Sequence, residues 1–451
     1  MIELLKIVED YKGLMLDAER HIWKNPETGY KEFKTNEYLI SHFEKMGYKI
    51  TRPDDITGFY TVVDTGREGP TVLILAELDS LRNELHPECD PVTKNVHNCG
   101  HHAQCAAILG VAASLTRKEI LDKLCGKIKL CLVPAEEGIE LGYRGELVKK
   151  GIIEFTSGKP EFIRRGYFDD VDIAYMLHVS PEENQNIVYK LTGGHNGVIR
   201  KSITVRGKAA HAGAHPHKGI NALNAANLML LAINSLRETF EEKDYIRVHS
   251  IITNGGSAVN AVPDEVTIES YVRAASPEAI KKTNDKVNRT IASCAAAFGA
   301  SVGIEDLSGS EAMKEDKNLT ALAERFYLDC VGKDGYVIDK KWLASSTDMG
   351  DISSLFPAIH AYVTGAVGSS HGKDYYITNP ERVCVDGAKF EVGMLLYLLS
   401  DGAKEAKKII DEFEPTFKSV DEYLAFKRSV NMSKETVKYN QDGTVTLDFK
   451  N

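Results

Sequence analysis

Several features that would assign a function at once are missing from this sequence. Its 8 cysteines form neither a C-x-x-C pair nor a zinc-ribbon spacing, and the chain contains no H-E-x-x-H motif, no P-loop and no dinucleotide-binding glycine fingerprint. No apolar run approaches the roughly 18 residues of a membrane span. The opening MIELLKIVEDYK carries early acidic residues and lacks the apolar stretch of a signal peptide. We therefore expect a cytoplasmic protein.

An excess of basic charge is also missing. Lys and Arg number 55 against 65 Asp and Glu, which gives a formal net charge of -10. This balance argues against nucleic acid or an anionic membrane as the main partner. With 451 residues, of which 43% are hydrophobic, the chain is long enough for two or three domains.

The first half of the chain alternates short apolar runs with helical patterns. The runs Thr71–Ala76, Ile128–Val133 and Val171–Leu177 predict buried strands, and Ala103–Thr116 predicts a helix between two of them. Nearly continuous apolar strands separated by helices indicate an α/β fold, with a mostly parallel sheet flanked by helices.

The order of elements changes in residues 195–306. This segment predicts a strand, a helix, two strands of alternating polarity, a second helix and a closing strand. The order β-α-β-β-α-β is that of a ferredoxin-like α+β module, which we interpret as an insertion. The α/β pattern then resumes, so we assign 1–194 and 307–400 to one domain and 401–451 to a charged C-terminal extension with one helical stretch.

Possible metal ligands follow the predicted strands. They are Cys99, His101, Glu136, Glu137, His178 and His371. Because α/β sheets bind ligands beyond the carboxyl ends of their strands, thiol, imidazole and carboxylate groups there indicate a divalent-metal site. Adjacent carboxylates point in different directions, so one can bind metal while the other acts as a general base. Taken singly, each residue also fits an ordinary role, such as an acidic turn or a hydrogen-bonded histidine.

The inserted module carries further candidates. His211 lies in a Gly- and Ala-rich segment, 207–219, and is positioned to reach a ligand. Asn260 and Arg273 are suited to hold an oxyanion or a carboxylate. The alternative is a plain structural strand with an exposed histidine.

A rival motif, Gly368-Ser-Ser370-His-Gly372, fits the G-x-S-x-G pattern of serine hydrolases. That motif requires a helix directly after it and a later histidine. The residues after Gly372 predict a turn, and no histidine follows His371. The sequence therefore argues against a serine hydrolase.

Together these motifs resemble the dimetal amidohydrolase and peptidase family that includes carboxypeptidase G, aminoacylase and the indole-acetyl-amino-acid hydrolases. The resemblance covers residues 15–400 and rests on 21–35, 76–81, 98–101, 134–138, His178, 207–223 and the His371 loop. Two further stretches, 247–256 and 346–351, are similar to aminobenzoyl-glutamate hydrolase subunits and related dipeptidases. The resemblance implies a zinc-peptidase-like fold, a catalytic metal-binding domain at 1–194 and 307–400, a lid and dimerisation domain at 195–306, and a homodimer.

The resemblance also implies residue roles. The implied ligands of two divalent ions, Zn or Mn, are Cys99, His101, Glu137, His178 and His371. The other implied roles are general base for Glu136, contact with the partner's active site for His211, substrate binding for Asn260 and Arg273, and support behind the ligands for Asp79.

Three positions depart from the family pattern. His102 replaces the usual Asp or Asn, Gln104 replaces a common His, and Glu77 stands where Asp is more usual. We place His102 behind the ligands, from where it could add a ligand or alter proton transfer. We expect an amidohydrolase of N-acyl or N-aminobenzoyl amino acids. The alternatives are a dipeptidase of the same family and a non-catalytic subunit of a hetero-oligomeric hydrolase.

Overall fold

The structure is a computed structural model that describes residues 1–450. The chain divides into two compact units. The first, named the α/β unit, contains Met1–Gly194, Lys314–Lys341 and Asp351–Val420. The second, named the ferredoxin-like unit, contains His195–Met313, Trp342–Gly350 and the described residues from Asp421 onward.

The helices alternate with strands in both units. They are α1 (Lys6–Glu9), α2 (Lys12–Trp23), α3 (Phe33–Lys45), α4 (His101–Leu115), α5 (Lys118–Leu121), α6 (Leu141–Lys149), α7 (Gly158–Arg164), α8 (Ala222–Ser235), α9 (Pro277–Ala297), α10 (Lys317–Val331), α11 (Met349–Ser353), α12 (Gly387–Leu399), α13 (Lys404–Asp411) and α14 (Val420–Val430). Among residues 1–450, no helix combines the length and apolar character needed to cross a bilayer.

The strands form two main sheets and two short hairpins. They are β1 (Phe59–Asp64), β2 (Thr71–Glu77), β3 (Leu81–Arg82), β4 (Asn95–Val96), β5 (Lys127–Val133), β6 (Ile173–Pro181), β7 (Tyr189–Leu191), β8 (Gly197–Arg206), β9 (Arg247–Asn254), β10 (Glu265–Ala274), β11 (Ser301–Ser308), β12 (Tyr336–Ile338), β13 (Ala358–Val367), β14 (Tyr376–Ile377), β15 (Met432–Glu435), β16 (Val437–Tyr439) and β17 (Val445–Leu447).

The sheet of the α/β unit has the order β1-β5-β2-β6-β13-β7-β12, and β14 pairs with β13. The four central strands, β5, β2, β6 and β13, run parallel, whereas β1 and β7 run antiparallel to their neighbours. Every residue of β2 is buried, as expected for a strand covered on both faces. The predicted α/β fold with a sheet flanked by helices is confirmed, and the sheet is mixed, with a parallel centre and antiparallel pairings at β1, β7 and β14.

Helix α4 lies at the centre of this unit and is buried at all of its positions. It packs against α2, α12 and β2, so its apolar residues cover the whole helix instead of one stripe. It starts at His101, two residues before the predicted start, because Gly100 precedes it in a left-handed conformation with φ 101°. Two candidate ligands therefore lie at the start of this buried helix, with Cys99 just before it and His101 as its first residue.

The sheet of the ferredoxin-like unit is antiparallel, with the order β15-β11-β8-β10-β9. Its strands β8 to β11 alternate with α8 and α9 in the order β-α-β-β-α-β, so the predicted ferredoxin-like module is confirmed. Apolar residues of both helices, including Met229 and Val287, pack on one face of this sheet.

The unit boundaries differ from the predicted ones at three places. The ferredoxin-like unit continues to Met313, and residues 401–420 of the predicted extension belong to the α/β unit. Trp342–Gly350 belongs to the ferredoxin-like unit, where the indole of Trp342 donates to the Asn196 side chain at 2.8 Å. The extension contains two helices and three strands instead of one helical stretch. Its strand β15 pairs with β11, from Gly303↔Glu435 to Asp306↔Met432, which adds a fifth strand to the sheet.

Candidate metal centre

The candidate ligands of the α/β unit come from one edge of its sheet. Glu136 and Glu137 follow the end of β5, His178 lies near the end of β6, and His371 follows β13. Cys99 and His101 lie at the start of α4. Because these strands are parallel neighbours, their carboxyl ends meet at the edge where α/β sheets bind ligands.

The ligand atoms form two groups that share the Cys99 thiol. Cys99, His101 and His178 form the first group, and Cys99, Glu137 and His371 form the second; within each group the atoms lie within 4.8 Å of one another. The Cys99 sulfur lies 3.5 Å from Nε2 of His178 and 3.3 Å from Nε2 of His371. Oε1 of Glu137 lies 3.2 Å from Nε2 of His371. All five candidate ligands are thus brought together.

These separations fit metal coordination. With Zn–N near 2.1 Å and Zn–S near 2.3 Å, ligand atoms around a tetrahedral zinc ion are about 3.3–3.6 Å apart. Nε2 of His101 and Oε1 of Glu137 are buried and accept or donate no hydrogen bond. Such atoms are costly to bury unless something positive satisfies them. The donor set therefore fits a pair of divalent cations.

The pKa shifts of the candidate ligands also fit a metal site. Burial and the nearby Glu137 raise the pKa of the Cys99 thiol well above its usual value. Burial lowers the pKa of His178 to about 4, which keeps this imidazole neutral. Burial also acts to lower the pKa of His101, but Cys99 and Glu77 outweigh it and raise that pKa well above normal. The site therefore favours positive charge beside His101, which a bound metal ion would supply.

The backbone around the ligands is held in unusual conformations. Ala135, just before the two glutamates, has φ 57°, and His371 has φ 66°. At Gly100, a Cβ atom would meet the Tyr375 hydroxyl at 2.6 Å and Cβ of Val179 at 2.8 Å. Left-handed backbone at non-glycine residues is rare and concentrates at functional sites.

Asp79 lies directly behind the ligands. Its carboxylate oxygens accept the peptide N–H groups of Glu136 at 3.1 Å and Glu137 at 3.0 Å. Its peptide oxygen accepts from Nδ1 of His101 at 2.8 Å, which leaves Nε2 of that ring facing the site. Asp79 thus fixes one histidine and the glutamate pair in a single arrangement.

The predicted general base, Glu136, is half-buried beside the ligands. Its carboxylate forms a third group with His101 and Glu137, again with ligand atoms within 4.8 Å of one another. At this position the Glu136 carboxylate can approach a molecule bound at the metal site, while the Glu137 carboxylate belongs to the ligand groups.

His102 lies apart from the ligand groups formed by the described residues. Its ring is buried, and Nε2 lies 3.1 Å from a carboxylate oxygen of Glu19 on α2. The ring also packs against Trp23 and His97, with ring centroids 5.0 and 5.3 Å away. The geometry does not support an added ligand here, because the adjacent helical positions His101 and His102 point in different directions.

The three remaining candidates lie in the ferredoxin-like unit. His211 is exposed, and its Nδ1 accepts the peptide N–H groups of Gly213 and Ala214 at 3.2 and 3.0 Å. Asn260 is also exposed, and its peptide oxygen accepts from the residue after His211 at 2.9 Å. Arg273 is half-buried and donates to Oγ of Ser346 at 2.6 Å. The structure thus brings the backbone segments around His211 and Asn260 together, and the catalytic and binding roles of all three stay predictions.

Sequence reasoning missed a buried ion pair behind the ligands. Nζ of Lys159 donates to Oε1 of Glu77 at 2.6 Å, and both side chains are almost fully buried. The Gln104 amide donates to Oε2 of Glu77 at 3.1 Å and accepts the Glu77 peptide N–H at 3.0 Å. Burial acts against the charged form of Glu77, but Lys159 and His101 hold its pKa well below the usual value. In the sequence, only the departures from the family pattern at Glu77 and Gln104 pointed to this ion pair. No feature of the sequence indicated that Lys159 would be buried.

Known proteins resemble this chain in sequence and in fold. Residues 193–297 match the peptidase dimerisation domain of the M20 family. N-acetyl-L-cysteine deacetylase of Bacillus subtilis is 28% identical over 318 residues, which are 68% of this chain and 70% of that protein. A subunit of the Escherichia coli p-aminobenzoyl-glutamate hydrolase is 30% identical over 302 residues, which are 64% of this chain and 57% of that protein.

The fold agrees with these relatives. A solved Bacillus subtilis protein, described as a dinuclear metal-binding peptidase from the M20 family, superimposes with a TM-score of 0.67 at 18% identity. The superposition covers 87% of this chain and 99% of that chain. This chain therefore contains a segment similar to the dimerisation domain of M20 peptidases, has the fold of a dinuclear metal-binding member of that family, and is similar in sequence to metal-dependent hydrolases.

Proposed function

We propose that this enzyme is an amidohydrolase that cleaves the amide bond of N-acyl or N-aminobenzoyl amino acids. Its two divalent ions, Zn or Mn, are held by Cys99, His101, Glu137, His178 and His371. The observation that carries the proposal is the pair of three-ligand groups that share one thiol. The two relatives named above act on an N-acetyl amino acid and on aminobenzoyl-glutamate, which supports this substrate class.

When bound, the ions supply a water of lowered pKa and polarise the substrate carbonyl. Glu136 takes the proton from the attacking water, since its carboxylate lies beside the ligands. The same carboxyl group then returns this proton to the leaving nitrogen as the C–N bond breaks. The products are a carboxylic acid and a free amine.

His211 stabilises the oxyanion in this proposal. Since its Nδ1 accepts two peptide N–H groups, the neutral ring carries its proton on Nε2. Nε2 is therefore a hydrogen-bond donor on an exposed loop, available to a substrate oxygen in the partner's active site. Asn260 and Arg273 hold the carboxylate of the substrate.

A homodimer is the expected assembly of the ferredoxin-like unit. Strand β9 ends the order of its sheet in the described chain, and Ile251 on this strand is 63% exposed. An exposed, partly apolar edge strand is a ready site for pairing with another copy. The opposite edge is the four-residue β15, which pairs with β11 and is a shorter strand for pairing. The match of residues 193–297 to a dimerisation domain supports a dimer formed through this unit.

The first test is Glu136→Gln in the purified chain, with added Zn²⁺ or Mn²⁺ and a panel of N-acyl amino acids, aminobenzoyl-glutamate and dipeptides. We expect unchanged metal content and a loss of turnover of at least about 100-fold. Glu146→Gln, at an exposed glutamate of α6, is the matched control and should keep full turnover. A Glu136→Gln variant with more than a tenth of the wild-type rate would remove the general-base role.

The same panel separates the alternatives. Cleavage of dipeptides alone would support the dipeptidase alternative, and a metal-loaded wild-type chain that cleaves no substrate would support the non-catalytic subunit.

The second test concerns His211. His211→Ala should lower turnover by about 10²–10³-fold without lowering metal content, because the side chain acts on the oxyanion and not on the ions. Mixing this variant with Glu136→Gln should restore activity in the hetero-pair, which retains one intact composite site. No recovery after subunit exchange, verified by mass, would show that His211 does not act across the dimer.

A further inference from the structure

The carboxylate of Glu77 lies beside the ligands of the first group. Its Oε2 lies 3.1 Å from Nε2 of His101 and 3.9 Å from Nε2 of His178. The first distance is close to the separation of about 3.3 Å expected between two light ligand atoms around a tetrahedral zinc ion, and the second exceeds it by about 0.6 Å. Glutamate is one methylene longer than the aspartate usual at this position, so its carboxylate extends further from the end of β2.

The hydrogen bonds of the two histidines leave lone pairs pointing at this carboxylate. Nδ1 of His101 lies 2.8 Å from the peptide oxygen of Asp79, and Nδ1 of His178 lies 2.9 Å from that of Val179. A peptide oxygen only accepts, so each Nδ1 carries a proton, and in the neutral rings each Nε2 carries a lone pair. Nε2 of His101 has no hydrogen bond, although an oxygen of Glu77 is 3.1 Å away. A buried imidazole lone pair that faces a carboxylate requires a positive charge between them, which is either a proton on Nε2 or a bound metal ion.

The hydrogen bonds of the Glu77 carboxylate are compatible with contact to a metal ion. Lys159 donates to Oε1 and Gln104 to Oε2, at 2.6 and 3.1 Å. A carboxylate has about four lone-pair sites, so Oε2 retains one after the bond from Gln104. A metal ligand must be deprotonated, and the buried ammonium of Lys159 stabilises that form.

We propose that Glu77 is a sixth protein ligand, bound to the ion held by Cys99, His101 and His178. This inference rests on the metal pair of the proposed function. The first ion then has four protein ligands, whereas the ion at Cys99, Glu137 and His371 has three. Zinc sites with four protein ligands are closed, and catalytic sites with three keep a position for water. The two sites would therefore differ: the first would hold its ion more firmly, and the second would keep a position open for water.

The direct test is a crystal structure of the wild-type protein loaded with Zn²⁺, with the ions located by anomalous scattering. The inference expects a Glu77 oxygen within about 2.2 Å of the ion bound by His101 and His178. A Glu77 oxygen farther than about 3 Å from both ions would overturn it. Two ions on the five other ligands with normal hydrolysis would then leave the proposed function intact. Ions bound elsewhere, or none, would overturn both.

The second test measures Zn²⁺ affinity by chelator competition. Glu77→Gln should weaken the tighter site by more than about 100-fold, beyond what loss of a residue merely behind a ligand costs. The weaker site should change by less than about threefold, because Glu77 does not contact its ligands. Glu391→Gln, at another buried glutamate of the same unit, is the control and should keep both affinities. Equal affinities in Glu77→Gln and the wild type would contradict the inference.

Discussion

Asp79→Asn tests how firmly the glutamate pair must be held. In the wild type, each oxygen of the Asp79 carboxylate accepts one peptide N–H, from Glu136 and from Glu137. Asparagine keeps one acceptor but places an amide NH₂ against the other peptide N–H. One hydrogen bond to a charged acceptor is lost, and two donors then face each other in a buried site. One of the two peptide groups, that of Glu136 or that of the predicted ligand Glu137, therefore has to move.

The size of the effect follows from the lost bond. A hydrogen bond to a charged group contributes about 1.5–3 kcal/mol. At about 1.4 kcal/mol per tenfold change, this corresponds to metal binding weakened by about 10- to 150-fold. Residues behind metal ligands typically cost about 10–100-fold in affinity when replaced, in agreement with this range. Competition with a chromogenic chelator measures the affinity, and turnover at saturating metal shows how much activity is recovered.

Asp172→Asn is the matched control. Its carboxylate also accepts a peptide N–H, that of Thr71 at 2.8 Å, but at the other end of β2 from the ligands. This variant should lose stability without losing metal affinity. If Asp79→Asn binds metal within about twofold of the wild type, the carboxylate does not hold the glutamate pair in the way described.

Two further predictions concern stability. Burial raises the pKa of Glu391 well above its usual value, so the native state keeps this proton at higher pH than the unfolded chain. The free energy of unfolding then falls as pH rises above about 4.3, by up to about 1.4 kcal/mol per pH unit. Glu391→Gln should therefore stabilise the protein more at pH 8 than at pH 5 in urea unfolding, and an equal effect at both would contradict the burial argument. Gly100→Ala should destabilise by more than the roughly 1–2 kcal/mol of left-handed backbone, because its Cβ also meets Tyr375 and Val179; an unchanged melting temperature would refute this.

Much of the fold could be predicted because its signals are local. The apolar run that became β2 was predicted to within one residue, since a strand buried on both faces is apolar throughout. The alternating pattern of β10 likewise reflects helices on one side of the sheet only. The β-α-β-β-α-β order required no knowledge of distant contacts.

The pairing of the extension could not be predicted in this way. Strand β15 is short, and Met432–Glu435 shows no clear alternation. Its partner β11 lies more than a hundred positions earlier, so the pairing depends on where the chain returns in space. The placement of Trp342–Gly350 in the ferredoxin-like unit has the same origin.

The site residues show the same difference between positions that local patterns predict and positions that depend on distant contacts. Strand-end positions predicted where the five candidate ligands would converge, because parallel strands share one carboxyl edge. Lys159 gave no signal, since lysines are almost never fully buried and no local pattern marks an exception. The effect of His102 could not be predicted either, because its orientation depends on the position of Glu19 on another helix.

The fifth strand of the ferredoxin-like sheet makes its two edges unequal. One edge is the eight-residue β9, and the other is β15, which has four residues and carries Lys434 and Glu435. Short and charged edge strands resist pairing with other copies, so the proposed pairing through β9 leaves only a poor edge for a third copy. A chain shortened at Val420 would have the eight-residue β11 as its second edge, and such a truncation should form larger assemblies than the full chain.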